Sequence, residues 1–278
     1  MADGARSNRD GRRGTARSGS SGTSRSRGRS GGGKKGSPRI PPPPVIRDEV
    51  RVERVDDDKA PTRKKRAGRG RRLVDVSHVK FGGVPAATAK KLERRLAEAA
   101  IAFENERFPE AAQLLDSIER LAPGVAEVYE LRGLTQYRMG HWMKAIADLD
   151  RFREQTGSVE QHPVLADCCR ALRRWSRAEE LWAELGEASP SADLVEEGRI
   201  VQAGGLADRG RVNEAIRLLE RGPKPHGRPA IHHLRRWYAL ADLYERSGDL
   251  ARSRRLFGDI VKAEPDFGDA AERMSLLG

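Results

Sequence analysis

Five small residues recur in phase along this chain: Ala111, Ala145, Ala178, Ala215 and Ser253, at spacings of 34, 33, 37 and 38 residues. The last of them lies in residues 237–265, WYALADLYERSGDLARSRRLFGDIVKAEP, which reads W-x2-L-A-x2-Y, a Gly turn, S-x3-F and then Pro. Self-similarity at such a period marks stacked helical pairs, because one pair alone cannot bury its apolar face. Small residues let the two helices of a pair approach closely. Large ones such as Trp237, Tyr244 and Phe257 then fill the space between neighbouring pairs.

Helical periodicity begins near Thr88. In the first unit Ala99, Ala111 and Pro123 hold the small and terminal positions, and Pro109 falls in the first turn of the second helix, where a missing N–H does no harm. The second unit places Tyr129, Arg132, Gly133 and Gln136 on its first helix, turns at Gly140, and carries Ala145, Leu149 and Phe152 on its second; Gly157 stands at the terminal position. The third runs over residues 162–190, with Leu165, Ala166 and Cys169, then Ala178, Trp182 and Leu185. The fourth has Ala203, Leu206, Gly210, Ala215 and Leu219, with a longer first helix, and leads into the loop GPKPHGRP at residues 222–229. Residues 269–277 read as a final helix covering the end of the stack.

These registers resemble the tetratricopeptide repeat (TPR), W-x2-L-G-x2-Y…A-x3-F…P, with Ala241 and Ser253 in the usual Gly and Ala places. The resemblance implies an all-α, TPR-type α-solenoid of about five helix-turn-helix repeats plus a C-terminal capping helix, over residues 86–278. In that family the first helices line a concave groove. The resemblance therefore implies that Glu130, Tyr137, Arg138, Arg170, Tyr238, Asp242 and Glu245 are exposed groove positions. Some relatives clamp a partner's C-terminal carboxylate with Lys and Asn; the comparable positions here hold Glu130, Leu134, Pro163, Asp167, Tyr238 and Asp242, which argues against such a clamp. The function implied is a non-enzymatic scaffold or adaptor that holds a peptide or helix of a protein partner. Arg/Ala/Gly-rich usage and the basic tail also make the chain similar to TPR proteins of high-GC bacteria.

Charge divides the chain. Residues 1–72 hold 22 Lys/Arg against 8 Asp/Glu, net +14, and the remainder holds 31 against 33. Residues 1–39 are rich in Gly, Ser and Arg, residues 41–44 form a polyproline spacer, and no aromatic precedes Phe81. Residues 1–85 are accordingly expected to be a disordered basic tail and linker, too poor in apolar surface to offset the entropy of ordering. The densest cluster is Arg63, Lys64, Lys65, Arg66, Arg69, Arg71 and Arg72. A polycation of this kind binds phosphate backbones through counterion release, so docking on nucleic acid or a ribosome is the alternative reading. Without aromatics for base stacking, it would hold backbone charge and not read sequence.

Motifs of catalysis fail on context. Residues 28–34 match G-x-x-x-x-G-K, but Lys35 replaces the metal-binding Ser/Thr and neither flanking strand nor helix is expected. His226, His232 and His233 lack a fourth ligand type at metal spacing. Cys168 and Cys169 are adjacent, and Cys169 shares the register of Tyr244, so a buried thiol pair in a reducing compartment is expected. No cofactor, metal or small-molecule substrate is expected. Without an apolar leader or a long apolar run, the reading is cytoplasmic with no membrane association.

Overall fold

In a computed structural model the described residues are 76–188 and 190–278; the polyproline spacer and the basic cluster at residues 62–72 lie outside them. The described residues form eleven helices and no strand: α1 (Ala86–Glu104), α2 (Phe108–Leu121), α3 (Ala126–Arg138), α4 (Trp142–Thr156), α5 (His162–Ala171), α6 (Trp175–Ala188), α7 (Ala192–Asp208), α8 (Val212–Glu220), α9 (Ile231–Ser247), α10 (Leu250–Ala263) and α11 (Ala270–Leu276). They pack as five consecutive pairs, each against the next, and the odd-numbered first helices also contact one another along the stack. The five expected repeats and the closing helix are present. The fourth first helix, α7, is 17 residues long against 13 and 10 for α3 and α5.

One turn is used five times. Each first helix ends at a residue in the left-handed region: Glu106 (φ 59°), Gly140 (75°), Arg173 (58°), Gly210 (79°) and Gly248 (85°). The next residue sends its N–H back to a carbonyl of the first helix: Arg107 to Ala102, His141 to Gln136, Arg174 to Cys169, Arg211 to Leu206, Asp249 to Tyr244, all at 2.8–2.9 Å. This double-ring closure satisfies carbonyls that the helix end would leave open. The same residue's carbonyl then accepts the N–H of Ala111, Ala145, Ala178, Ala215 or Ser253 at 3.0–3.1 Å. The turn thus fixes where the small residue sits, five positions after the left-handed one. All five small residues are buried.

Packing follows from that register. A Cβ at Gly133 would lie 2.6 Å from Leu149 Cγ and Cδ2, so α3 and α4 approach to a distance only Gly permits there. Ala99, Ala166, Ala203 and Ala241 hold the equivalent place in the other first helices and are buried. A single apolar cluster runs from Val76 to Leu181 through α1–α6. Two smaller ones follow, one in α7–α9 and one in α9–α11. Part of the stretch read as linker belongs to the first cluster: Val76, Val79 and Phe81 are each no more than 6% exposed, packed with residues such as Leu92, Leu96 and Phe103.

Between α7 and α9 the apolar cluster is joined by a buried ionic contact. Glu196 is 1% and Arg236 3% exposed; Glu196 Oε2 lies 3.2 Å from Arg236 Nε, and Oε1 accepts from Arg199 Nε at 3.0 Å. Arg236 reaches past Gly222, where a Cβ would collide with its Nη1, and donates to the Pro223 carbonyl. Arg236 Nε and Nη1 make no hydrogen bond, and burial pushes the guanidinium down from its ordinary pKa. Here a large side chain passes over a glycine where elsewhere two helices close on one.

Candidate functional site

The first helices give the stack a face on which neighbouring repeats meet through polar side chains. The Arg138 guanidinium lies over the Phe108 ring at 4.6 Å and 3.4 Å from Glu106. Tyr137 donates its O–H to Asp167 Oδ2 at 2.8 Å, linking α3 to α5. Arg170 donates to Asp167 Oδ1 at 2.8 Å and approaches Asp208 at 3.5 Å, linking α5 to α7. Arg235 and Glu197, 2.7 Å apart, join α9 to α7. At the far end Arg273 of α11 donates to Asp242 at 3.0 Å and to Glu245 at 2.7 Å, while Tyr238 donates to Asp269 at 2.6 Å.

Six of the seven residues expected in the groove therefore fall into two groups, and Glu130 stands apart from both. Tyr137, Arg138 and Arg170 lie with the α3–α7 contacts; Tyr238, Asp242 and Glu245 are drawn together around Arg273. Their expected exposure is corrected most clearly at Glu130, which is 8% exposed and accepts from Gln161 Nε2 at 2.8 Å. Packing of the turn before α5 against α3 is the reason: Gln161, the residue preceding α5, lies against Glu130. Burial pushes the Glu130 carboxyl up, and the Gln161 hydrogen bond only partly offsets it. Burial and the adjacent Asp167 carboxylate push the Tyr137 phenol well up, so it remains a donor. Burial works against the Arg273 charge, but Tyr238, Glu245 and Asp242 outweigh it and hold the guanidinium firmly protonated.

A segment of the chain itself lies across the first two first helices. His78 Nε2 is 3.3 Å from Glu127 at the start of α3, and Lys80 Nζ is 3.4 Å from Glu93 in α1. Val76, Val79 and Phe81 are its buried anchors. Sequence reasoning passed over this segment and over Glu93, Glu127, Glu160, Glu197 and Arg273. A signal was there: Glu93, Glu127, Glu160 and Glu197 are 34, 33 and 37 residues apart, the spacing of the first four small residues.

The thiols of Cys168 and Cys169 are free, buried and pushed up by burial, which leaves them poor nucleophiles. Among the described residues no group of three or more His, Cys, Asp or Glu could hold a metal ion. No described helix is long and apolar enough to cross a membrane. The Arg63–Arg72 cluster proposed for polyanions lies outside the described residues.

No protein-family model matches the sequence, and no curated protein does. Solved structures do resemble the fold. A thermophilic TPR protein of Thermus thermophilus is 16% identical with a TM-score of 0.54, the alignment covering 67% of this chain and 98% of that one. A variant of the nearly identical TPR-like repeats of a Podosopora anserina putative kinesin light chain is 17% identical with a TM-score of 0.50, covering 66% of this chain and 97% of that one. The fold is thus a TPR-type α-solenoid.

Proposed function

We propose that this protein is a non-enzymatic interaction scaffold whose first-helix face holds a segment of a protein partner. One observation carries the reading. Residues 76–81 lie across α1 and α3 with apolar side chains buried and basic ones on carboxylates, so the face accommodates polypeptide that belongs to no helix pair. Main-chain segments with alternating anchors are a recurring form of peptide recognition. Tyr137, Arg138, Arg170 and Glu130 extend the same face toward α5 and α7.

The test is affinity capture with the full chain, after nuclease treatment, comparing wild type with a variant carrying Tyr137→Ala and Arg138→Ala. Partners held by the face are lost from the variant while its circular dichroism stays helical. Partners retained in full by a folded variant contradict the proposal. The net charge of +14 in residues 1–72 favours a second reading, in which this stretch docks on nucleic acid or a ribosome. That reading expects companions to vanish on nuclease treatment and RNA binding to fade steeply with salt.

A further inference from the structure

Residues 76–81, VSHVKF, belong to no helix pair, yet the first-helix face holds them as it would a bound peptide. Val76, Val79 and Phe81 are 5–6% exposed and share the apolar cluster of α1–α6. A turn, closed by the Val79 N–H on the Val76 carbonyl at 3.3 Å, lets both valines enter that cluster. The side chains between the anchors stay in water: Lys80 and His78, 74% and 62% exposed, meet Glu93 of α1 and Glu127 of α3. The segment is a strap with three apolar teeth and two polar contacts at its rim.

A joint connects the strap to the stack. Gly82 and Gly83 follow Phe81, and a Cβ at either would meet nothing within 4 Å, so neither is glycine for want of room. Gly83 has φ 73°, which glycine adopts without steric cost. Val84 then packs on the apolar cluster again, and α1 begins at Ala86. Backbone rotation at two glycines can therefore lift the strap while Val84 and α1 stay in place. Lifting it uncovers apolar side chains of the cluster with a carboxylate on each flank, Glu93 on α1 and Glu127 on α3. Such a seat suits a segment with apolar anchors and basic side chains between them, and the two carboxylates turn away an acidic one.

We propose that the α1–α3 end of the face is a docking site for a short segment of a partner protein, and that residues 76–81 are its internal competitor. The guest carries apolar side chains at its first, fourth and sixth positions and basic ones at its third and fifth, the pattern that the strap itself displays. Tethered through two glycines, the strap faces its seat at an effective concentration in the mM range. A guest then binds with an affinity reduced by the fraction of molecules whose strap is lifted. The inference rests on the reading that this face seats polypeptide, and it adds the chemistry of the guest and a gate. Tyr137 and Arg138 lie at the opposite end of α3 from Glu127, so the two readings can fail separately.

Fluorescence anisotropy with a labelled peptide VSHVKFGG, the sequence of residues 76–83, tests the site on the full chain. Val76→Ser, Val79→Ser and Phe81→Ser together release the strap. The peptide should bind this variant about tenfold more tightly than wild type, or better, the ratio being the reciprocal of the open fraction. A peptide with serine at its three apolar positions should not bind. Equal binding to wild type and released variant overturns the proposal, as does undiminished binding of the serine peptide. A released variant that is folded by circular dichroism but takes up no peptide at about 1 mM also overturns it, since that matches the strap's own effective concentration. If the triple variant fails to fold, Phe81→Ala decides: binding severalfold tighter than wild type supports the site, and unchanged binding overturns it. A wild-type dimer that the strap substitutions abolish assigns the seat to a second copy and overturns it too. A peptide that never binds, while partner capture still depends on Tyr137 and Arg138, sinks the docking site and spares the broader reading.

Discussion

At Gly133, in the front of the stack, a Cβ would fall against Leu149 of the paired helix. At Gly204 and Gly222, in the back, it would fall against Arg170 and Arg236. Small residues thus do two jobs in one fold. In α1–α6 they let apolar helices close into a single cluster. Around α7–α9 Gly198 does the same against Leu185 and Trp182, but Gly204 and Gly222 leave room for guanidinium groups that run between repeats. The same contrast appears on the first-helix face. Front carboxylates Glu93 and Glu127 are met by Lys80 and His78, which are 74% and 62% exposed. Back carboxylates Asp242 and Glu245 are met by Arg273, only 19% exposed. Partners that are well hydrated exchange readily, whereas a half-buried guanidinium holding two carboxylates does not. In the proposed reading the front of the face is where a guest would enter, while at the back Arg273 covers Asp242 and Glu245.

The largest effect should come from breaking the ionic seam. Glu196→Ala leaves Arg236 and Arg199 without their shared carboxylate in a buried setting, at a cost of about 3–5 kcal/mol in chemical denaturation. Glu196→Met combined with Arg236→Leu should recover most of that loss, since Arg236 Nε and Nη1 make no hydrogen bond to begin with. If the double variant is as unstable as the single, the seam contributes more than the charges it shelters.

Leu149→Ala probes the apolar half. It opens a cavity beside Gly133 and should cost about 3 kcal/mol. Its cost should be insensitive to salt, which urea titrations at low and high ionic strength can establish.

A gain of about 1 kcal/mol is expected for Arg173→Gly, read as a higher melting temperature, because a left-handed backbone is unfavourable for a residue with a Cβ. Both non-glycine turns, Glu106 and Arg173, lie in the front half; the back uses Gly210 and Gly248. Glu106→Gly should gain less, since it also removes the contact with Arg138.

The smallest effect concerns pH. His162 is buried, with Nε2 2.8 Å from Glu184. Burial lowers its pKa from the ordinary 6.5, and the Glu184 contact only partly opposes this, with Arg153 and Arg177 adding to the lowering. A depressed folded value means the unfolded chain binds the proton more readily. The associated stability is full above pH 6.5 and is lost as pH falls toward the folded value. Melting temperatures should decline between about pH 7 and about pH 5, and His162→Gln should flatten that slope.

Helix pairing was legible because small residues and left-handed turns are local demands. The three glycine turns at Gly140, Gly210 and Gly248 showed it openly. Glu106 and Arg173 hid two more, since the backbone closes the same turn there with residues that give no sign of it. The face was harder to read. Register placed Tyr137, Arg170 and Tyr238 on it, but which carboxylate each would meet depends on how adjacent repeats pack. Arg273 could not be foreseen as the closure of Asp242 and Glu245, because α11 lies outside the repeat pattern. Residues 76–81 were hidden by composition: two Val and one Phe among polar residues look like linker until a groove exists to bury them. The four-rung glutamate row was visible in the spacing and was overlooked because a charged position signals an ordinary solvated helix face.

Carboxyl footprinting of the full chain puts the contrast between open front and closed back to its most direct test. Glu93, Glu127, Asp242 and Glu245 are comparably accessible, with side chains 25–38% exposed, so burial alone gives them similar reactivity. Raising the salt from about 50 mM to about 500 mM should increase labelling at Glu93 and Glu127 severalfold, as Lys80 and protonated His78 are screened away, and leave Asp242 and Glu245 nearly unchanged. Equal responses at both ends, or no response at the front, would contradict the account.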